Sequence, residues 1–316
     1  MFDVENCKNI LVIKLGALGD VMMSEGVMRC IRQAYPNAKI TLMTEPLYAR
    51  FMTDAPHFDE IIPHKRVGRL AFGEFRKLKK QLQSAGYDLV IDLQNSNYSK
   101  KIFSWLPGSK ISSTAKNVDY RYVPDRSRQL PLREYLRQQV EMLDVDMSAG
   151  HFPNLEWAAA DVSHVLENAR IEDGFVLLIA GSAARHPGKR WHLFPQLIAA
   201  LAERNITAVT APGPDEADLC ANLPAPMLMD GDKFLTLNQV VGLARHCGMV
   251  IGNDTGPTHM MAAAGTKGVA LFGSDYSPAW QTGVADIYEV VEKPLLSDIT
   301  VDEVLAAMDR AQSNSV

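Results

Sequence analysis

Nine short apolar runs punctuate the chain, each long enough for a buried strand, and longer amphipathic stretches separate them. They are Ile10 to Leu15, Ile40 to Met43, Glu60 to Pro63 and Asp88 to Leu93, then Phe175 to Ala180, Thr207 to Ala211, Met227 to Met229, Met249 to Gly252 and Gly268 to Phe272. Continuous apolar strands are buried on both faces, and a parallel sheet covered by helices is the architecture that buries them so. The runs therefore predict an α/β fold. At 316 residues the chain suits two domains, each large enough for its own core. Turn chemistry from Ser148 to Pro153, with a helix-like stretch from Ala158, sets the expected domains at 1–152 and 153–316. The last helix, opened by a capping box at Thr300 and Glu303, can pack back on the first domain.

Three of the strand-to-helix turns carry chemistry. After Met249 to Gly252 come Asn253, Asp254, Thr255 and Gly256, with Pro257 suited to a first helical turn. Unpaired N–H groups and the positive helix end converge near Thr255 and Gly256, which favours phosphate, while Asp254 can accept from hydroxyls. The bland alternative makes Asp254 or Thr255 a helix cap and His259 a core residue. After Phe175 to Ala180, the loop Gly181 to Trp191 offers Ser182 as a donor and Lys189 or Arg190 as charge for a diphosphate, or as solvated cations. It is not a Walker A loop, because Arg190 stands where Ser or Thr is required. Near the amino terminus, Gly16 and Gly19 allow close approach of another molecule, and Asp20 is either an N-cap or a general base. The glycine spacing there excludes a dinucleotide fingerprint.

Together the segments Ile13 to Val21, Gly188 to Trp191, Asn253 to His259, Ala262 to Gly265 and Ala270 to Gly273 resemble the signatures of glycosyltransferase family 9, the ADP-heptose:lipopolysaccharide heptosyltransferases. The resemblance spans most of the chain. It implies a GT-B architecture of two Rossmann-like domains facing across a cleft, with an acceptor domain first and a nucleotide-sugar donor domain second. It implies inverting, metal-independent transfer without a cofactor, with Asp20 as base, and Lys189 and Asp254 on the donor's phosphates and sugar. Ser182, Arg190, Thr255, Gly256 and His259 complete the expected donor site, and ADP-heptose is the expected donor. The chain departs from the family at Gly268, where many members have proline, and in the insertion-like Ala183 to His186.

Charge is divided between the halves. Residues 1–152 carry 22 Lys or Arg and 17 Asp or Glu, net +5, whereas 153–316 carry 10 and 20, net −10. The basic half would steer an anionic acceptor, such as a lipid-linked lipopolysaccharide core, and Lys14, Gly16, Gly19, Arg66, Arg69 and Arg121 are the expected acceptor contacts. The run Arg76 to Lys80 reads rather as a solvated helix face, because Phe75, Leu78 and Leu82 give it an ordinary amphipathic pattern. A nucleic acid partner does not fit a pI near 5.9 without interleaved aromatics. No apolar run reaches the ~20 residues of a membrane span and the start lacks a basic signal, so the expected location is cytoplasmic, with room for peripheral contact at the inner membrane. Cys7, Cys30, Cys220 and Cys247 lack metal or disulfide spacing. Asp144 and Asp146 have the D-x-D spacing of metal-dependent transferases but lie apart from the glycine turns. A nucleotide-sugar epimerase and a non-catalytic nucleotide-sugar-binding protein are the alternatives.

Overall fold

The computed structural model describes residues 7–65, 72–275 and 277–313. The chain forms two compact units, Met1–Pro153 and Asn154–Val316. In the first, strands β1 (Asn9–Ile13), β2 (Lys39–Thr44), β3 (Glu60–Pro63), β4 (Leu89–Asp92), β5 (Lys110–Ser113) and β6 (Tyr120–Arg121) form one sheet in the order β3-β2-β1-β4-β5-β6. Every pairing is parallel, so all strand ends that carry turns of one sense lie along one edge. Helices α1 (Leu18–Met23), α2 (Glu25–Ala34), α3 (Pro46–Phe51), α4 (Phe72–Ala85), α5 (Ser99–Ile102) and α6 (Leu132–Glu141) connect and cover them.

The helical stretch after the Gly16 turn is not continuous but breaks at Ser24. Its hydroxyl donates back to the carbonyl of Asp20, a local bond that competes with the helical ladder. Strands β5 and β6 lack the apolar run that marks a buried strand: β5 reads Lys-Ile-Ser-Ser and β6 is two residues long.

The second unit holds α7 (Ser163–Ala169), β7 (Val176–Ile179), α8 (Phe194–Glu203), β8 (Ala208–Thr210), α9 (Ala217–Ala221), α10 (Leu237–Gly242), β9 (Met249–Asn253), α11 (Gly256–Ala263), β10 (Gly268–Gly273), β11 (Glu289–Lys293) and α12 (Val301–Ser313). Its sheet runs β11-β10-β9-β7-β8, again with every pairing parallel. Leu178, Ile251, Leu271, Phe194, Leu201 and Met308 are among the side chains that fill its core. Met227 to Met229 forms one bridge to Thr210 rather than a strand, since Pro226 beside it has no N–H to give a ladder. The capping box is present, with Thr300 N–H on Glu303 Oε2 at 3.0 Å and Glu303 N–H on Thr300 Oγ1 at 3.3 Å. The helix it opens, α12, lies against β10 and β11 of its own sheet.

Gly252 closes the β9 turn by close packing. A Cβ there would stand 2.4 Å from Thr258 Oγ1 and 2.9 Å from Ile179 Cβ, and the Thr258 hydroxyl is already fixed on the Asn253 carbonyl at 2.6 Å. Gly252→Ala should therefore destabilise by about 1–3 kcal/mol, a fall in melting temperature of roughly 2–12 °C. Thermal unfolding followed by circular dichroism checks this; an unchanged Tm would show that the turn has slack.

Candidate active site

Asn253 ties the end of β9 to the loop after β7. Its Nδ2 donates to the carbonyls of Ala180 at 2.8 Å and Gly181 at 3.2 Å, and its Oδ1 accepts the Trp191 N–H at 3.2 Å. Trp191 is itself anchored, its Nε1 donating to the Ile299 carbonyl at 2.9 Å and its ring edge-on to Phe194. The two turns, 73 residues apart in sequence, thus become one structure.

Asp254 sits at the centre, 6% exposed. Oδ2 pairs with Lys189 Nζ, and Oδ1 accepts from His259 Nε2 at 2.9 Å. Burial alone would raise this carboxyl's pKa, but the hydrogen bonds and charges of His259 and Lys189 hold it below the usual carboxylate range. His259 Nδ1 is buried with no hydrogen-bond partner among the described residues. Thr255 occupies the cap position of α11 in an extended conformation, but its side chain makes no capping bond, so the bland reading does not account for it. Gly188, Lys189, Asp254, Leu271, Gly273 and Leu296 line a small open depression.

A lowered carboxyl pKa stabilises the fold above the unfolded value, and that stability is lost as pH falls through the folded value. Asp254→Asn should thus be less stable than the parent at pH 7 by about 1–3 kcal/mol, because Lys189 and His259 lose their counter-charge. Melting temperatures taken from pH 7 to pH 3 should converge below about pH 4. A gap that stayed constant would mean that the carboxylate charge is not what matters.

Ser182 and Arg190 are engaged with each other. The Ser182 hydroxyl donates to the His186 carbonyl at 2.8 Å, and Arg190 places Nε on Ser182 Oγ at 3.1 Å and Nη2 on its carbonyl at 2.9 Å. Arg190 therefore shapes the loop, and Lys189 is the cation at the carboxylate. Sequence reading missed Glu216, at the turn after β8. Its Oε2 accepts the Gly213 N–H at 3.1 Å, and its side chain fills the space beside Gly181 that a Cβ would need. Burial raises its pKa against the opposing Gly213 hydrogen bond and Arg190 charge. The Gly213-Pro214-Asp215-Glu216 turn following an apolar run was the available signal.

In the first unit, Lys14 leaves β1 buried, 1% exposed, and donates Nζ to the Leu93 carbonyl at 3.3 Å. It thus lies beneath the turn where an acceptor contact was expected. Burial lowers its pKa, and the charges of Asp20 and Asp92 oppose that shift. Gly16 adopts φ +145°, a region that favours glycine. Gly19 and Asp20 fall in the first turn of α1; the cap position is Ala17, so Asp20 is not the N-cap, and its side chain is exposed. Arg121 is exposed at the end of β6, while Arg66 and Arg69 lie outside the described residues. A buried polar cluster that the sequence did not announce backs this turn. Asp92 accepts from the hydroxyls of Ser99 at 3.0 Å and Ser113 at 3.1 Å, and burial raises its pKa against these bonds.

Among the described residues no three or more His, Cys, Asp or Glu gather as metal ligands, and no helix is long and apolar enough to cross a membrane. Asp146 accepts the Ser148 N–H at 2.8 Å as an ordinary turn residue. Cys7, Cys30 and Cys220 are buried free thiols, and burial pushes Cys220 up to about 11.

Two parallel α/β units, each with a polar strand-to-helix turn, are the architecture of the GT-B fold. Residues 75–293 match the model of glycosyltransferase family 9 (heptosyltransferase), and the chain belongs to that family. It is 22% identical to lipopolysaccharide heptosyltransferase 3 of Escherichia coli (strain K12), over 92% of this chain and 94% of that one. Among solved structures, the family 9 glycosyl transferase of Veillonella parvula DSM 2008 superposes with a TM-score of 0.84 at 18% identity, covering 98% of both chains. E. coli heptosyltransferase WaaC with ADP gives 0.75 at 19% identity, covering 96% of this chain and 99% of that one. These likenesses extend the GT-B fold along the whole chain.

Proposed function

We propose that this glycosyltransferase moves heptose from ADP-heptose to an anionic, lipid-linked glycan of the lipopolysaccharide-core type, with inversion at the anomeric carbon. The observation that carries the reading is the Asp254 carboxylate braced between Lys189 and His259 at the opening of α11. A carboxylate so held can accept sugar hydroxyls, while Lys189 and the leading N–H groups at Gly256 meet the diphosphate. The lipopolysaccharide heptosyltransferase relatives support the choice of sugar and acceptor, and the ADP held by WaaC supports the choice of nucleotide.

In this mechanism Asp20 takes the proton from the acceptor hydroxyl as its oxygen attacks the anomeric carbon, and ADP leaves from the opposite face. Lys189 and the α11 opening stabilise the charge that develops on the leaving phosphate. The net basic charge of the first half favours an anionic acceptor, delivered at the cytoplasmic face of the inner membrane. Calorimetry against ADP-heptose, ADP and a panel of other nucleotide sugars tests the donor. ADP-heptose should bind tightest and ADP should compete with it. Preference for a uridine or guanosine nucleotide would overturn the donor assignment.

A further inference from the structure

The turn that carries Asp20 is gripped from the neighbouring strand. Gln94, on the loop after β4, accepts two consecutive backbone N–H groups on one oxygen: Leu15 at 2.8 Å and Gly16 at 3.1 Å from Oε1. These are the donors at the point where the chain leaves β1, and no ladder partner takes them there. The loop that presents Gln94 is itself fixed. Asp92 Oδ1 accepts the N–H groups of Gln94 at 3.1 Å and Asn95 at 3.0 Å. Asn95, at φ +50°, locks to Gln139 Oε1 through Nδ2 at 2.6 Å and accepts the Thr114 N–H at 2.8 Å. The carbonyl between them, that of Leu93, receives the buried Lys14 ammonium. Residues 92–95 therefore hold Lys14, Leu15 and Gly16 together, and the direction in which the chain enters α1 follows from that hold.

We propose that Gln94 is a positioning residue for transfer: by fixing the Leu15 and Gly16 amides it sets the place of Asp20 relative to the acceptor hydroxyl. This rests on the reading of Asp20 as the base. The amide oxygen is the working part, so a glutamate, which keeps an acceptor oxygen at the same reach, should substitute for it, and a leucine should not.

The test compares Gln94→Leu and Gln94→Glu with the parent. Transfer is assayed with ADP-heptose and a lipopolysaccharide inner-core oligosaccharide, and amide hydrogen exchange is followed at Leu15 and Gly16. Gln94→Leu should exchange faster at both amides and lose about ten- to a hundredfold in kcat, with ADP-heptose affinity within about twofold of the parent. Gln94→Glu should restore both protection and most of the rate. Should Gln94→Leu fail to fold, Gln94→Met, of similar length and without the oxygen, takes its place. Parent-like kcat in the leucine or methionine variant overturns the proposal, as does a glutamate variant with restored protection but no recovered rate. Asp20→Asn run alongside separates the two readings: if it is impaired while Gln94→Leu is not, only the positioning role fails, and if it keeps the parent rate the base assignment fails instead.

Discussion

Asp20→Asn should lower the single-turnover rate of transfer by about 10²- to 10⁴-fold, the range that general-base catalysis supplies. The structure makes this substitution more informative than the sequence did. Ala17 holds the cap position of α1, so Asp20 has no capping bond to lose, and the asparagine keeps its size and polarity. Stability should be nearly unchanged. ADP-heptose affinity should be unchanged as well, because the proposed donor contacts Lys189 and Asp254 belong to the Asn154–Val316 unit. Rapid-quench kinetics with a nucleotide titration checks all three quantities. A parallel loss of donor binding would move Asp20 into the donor site.

Lys189→Ala should weaken ADP-heptose binding by about ten- to a hundredfold, since a hydrogen bond to a charged group contributes roughly 1.5–3 kcal/mol. The removal also leaves the Asp254 carboxylate unneutralised on one side, so a bare negative charge would face the incoming diphosphate. Lys189→Arg should recover part of the loss by retaining charge. Arg190→Ala differs in kind: it removes the bonds that Arg190 makes to the Ser182 hydroxyl and carbonyl, so its effect on donor use would come through the shape of the Gly181 to Trp191 loop. Donor affinity in Lys189→Ala equal to that of the parent would contradict the phosphate role.

The parts of this account legible in the sequence were those encoded locally. Apolar runs such as Met249 to Ile251 marked central strands because both of their faces are buried, and the glycines and Pro257 marked where a strand yields to a helix. The strand β11 escaped because Glu289, Glu292 and Lys293 interrupt its apolar positions, as an edge strand permits. Likewise Ser24 carried no sign that its hydroxyl would turn back and break a helix. Pairings across long separations were invisible. Lys189 meets Asp254 across 65 residues, and nothing in either segment says that Lys189 rather than Arg190 reaches the carboxylate. The same holds for Gln94 on Leu15 and Gly16, where a polar residue after a strand reads as solvated loop until the sheet order places β4 beside β1.

The most direct measurement is acceptor-dependent release of ADP from ADP-heptose by the full chain, with a lipopolysaccharide inner-core oligosaccharide as acceptor and the new linkage read by NMR. The account predicts that ADP appears only when the acceptor is present, in a one-to-one ratio with an oligosaccharide heavier by one heptose, whose anomeric configuration is opposite to that of the donor. Donor converted without acceptor would point to an epimerase. Donor bound but never consumed would make the chain a binding protein, and either result would contradict the assignment.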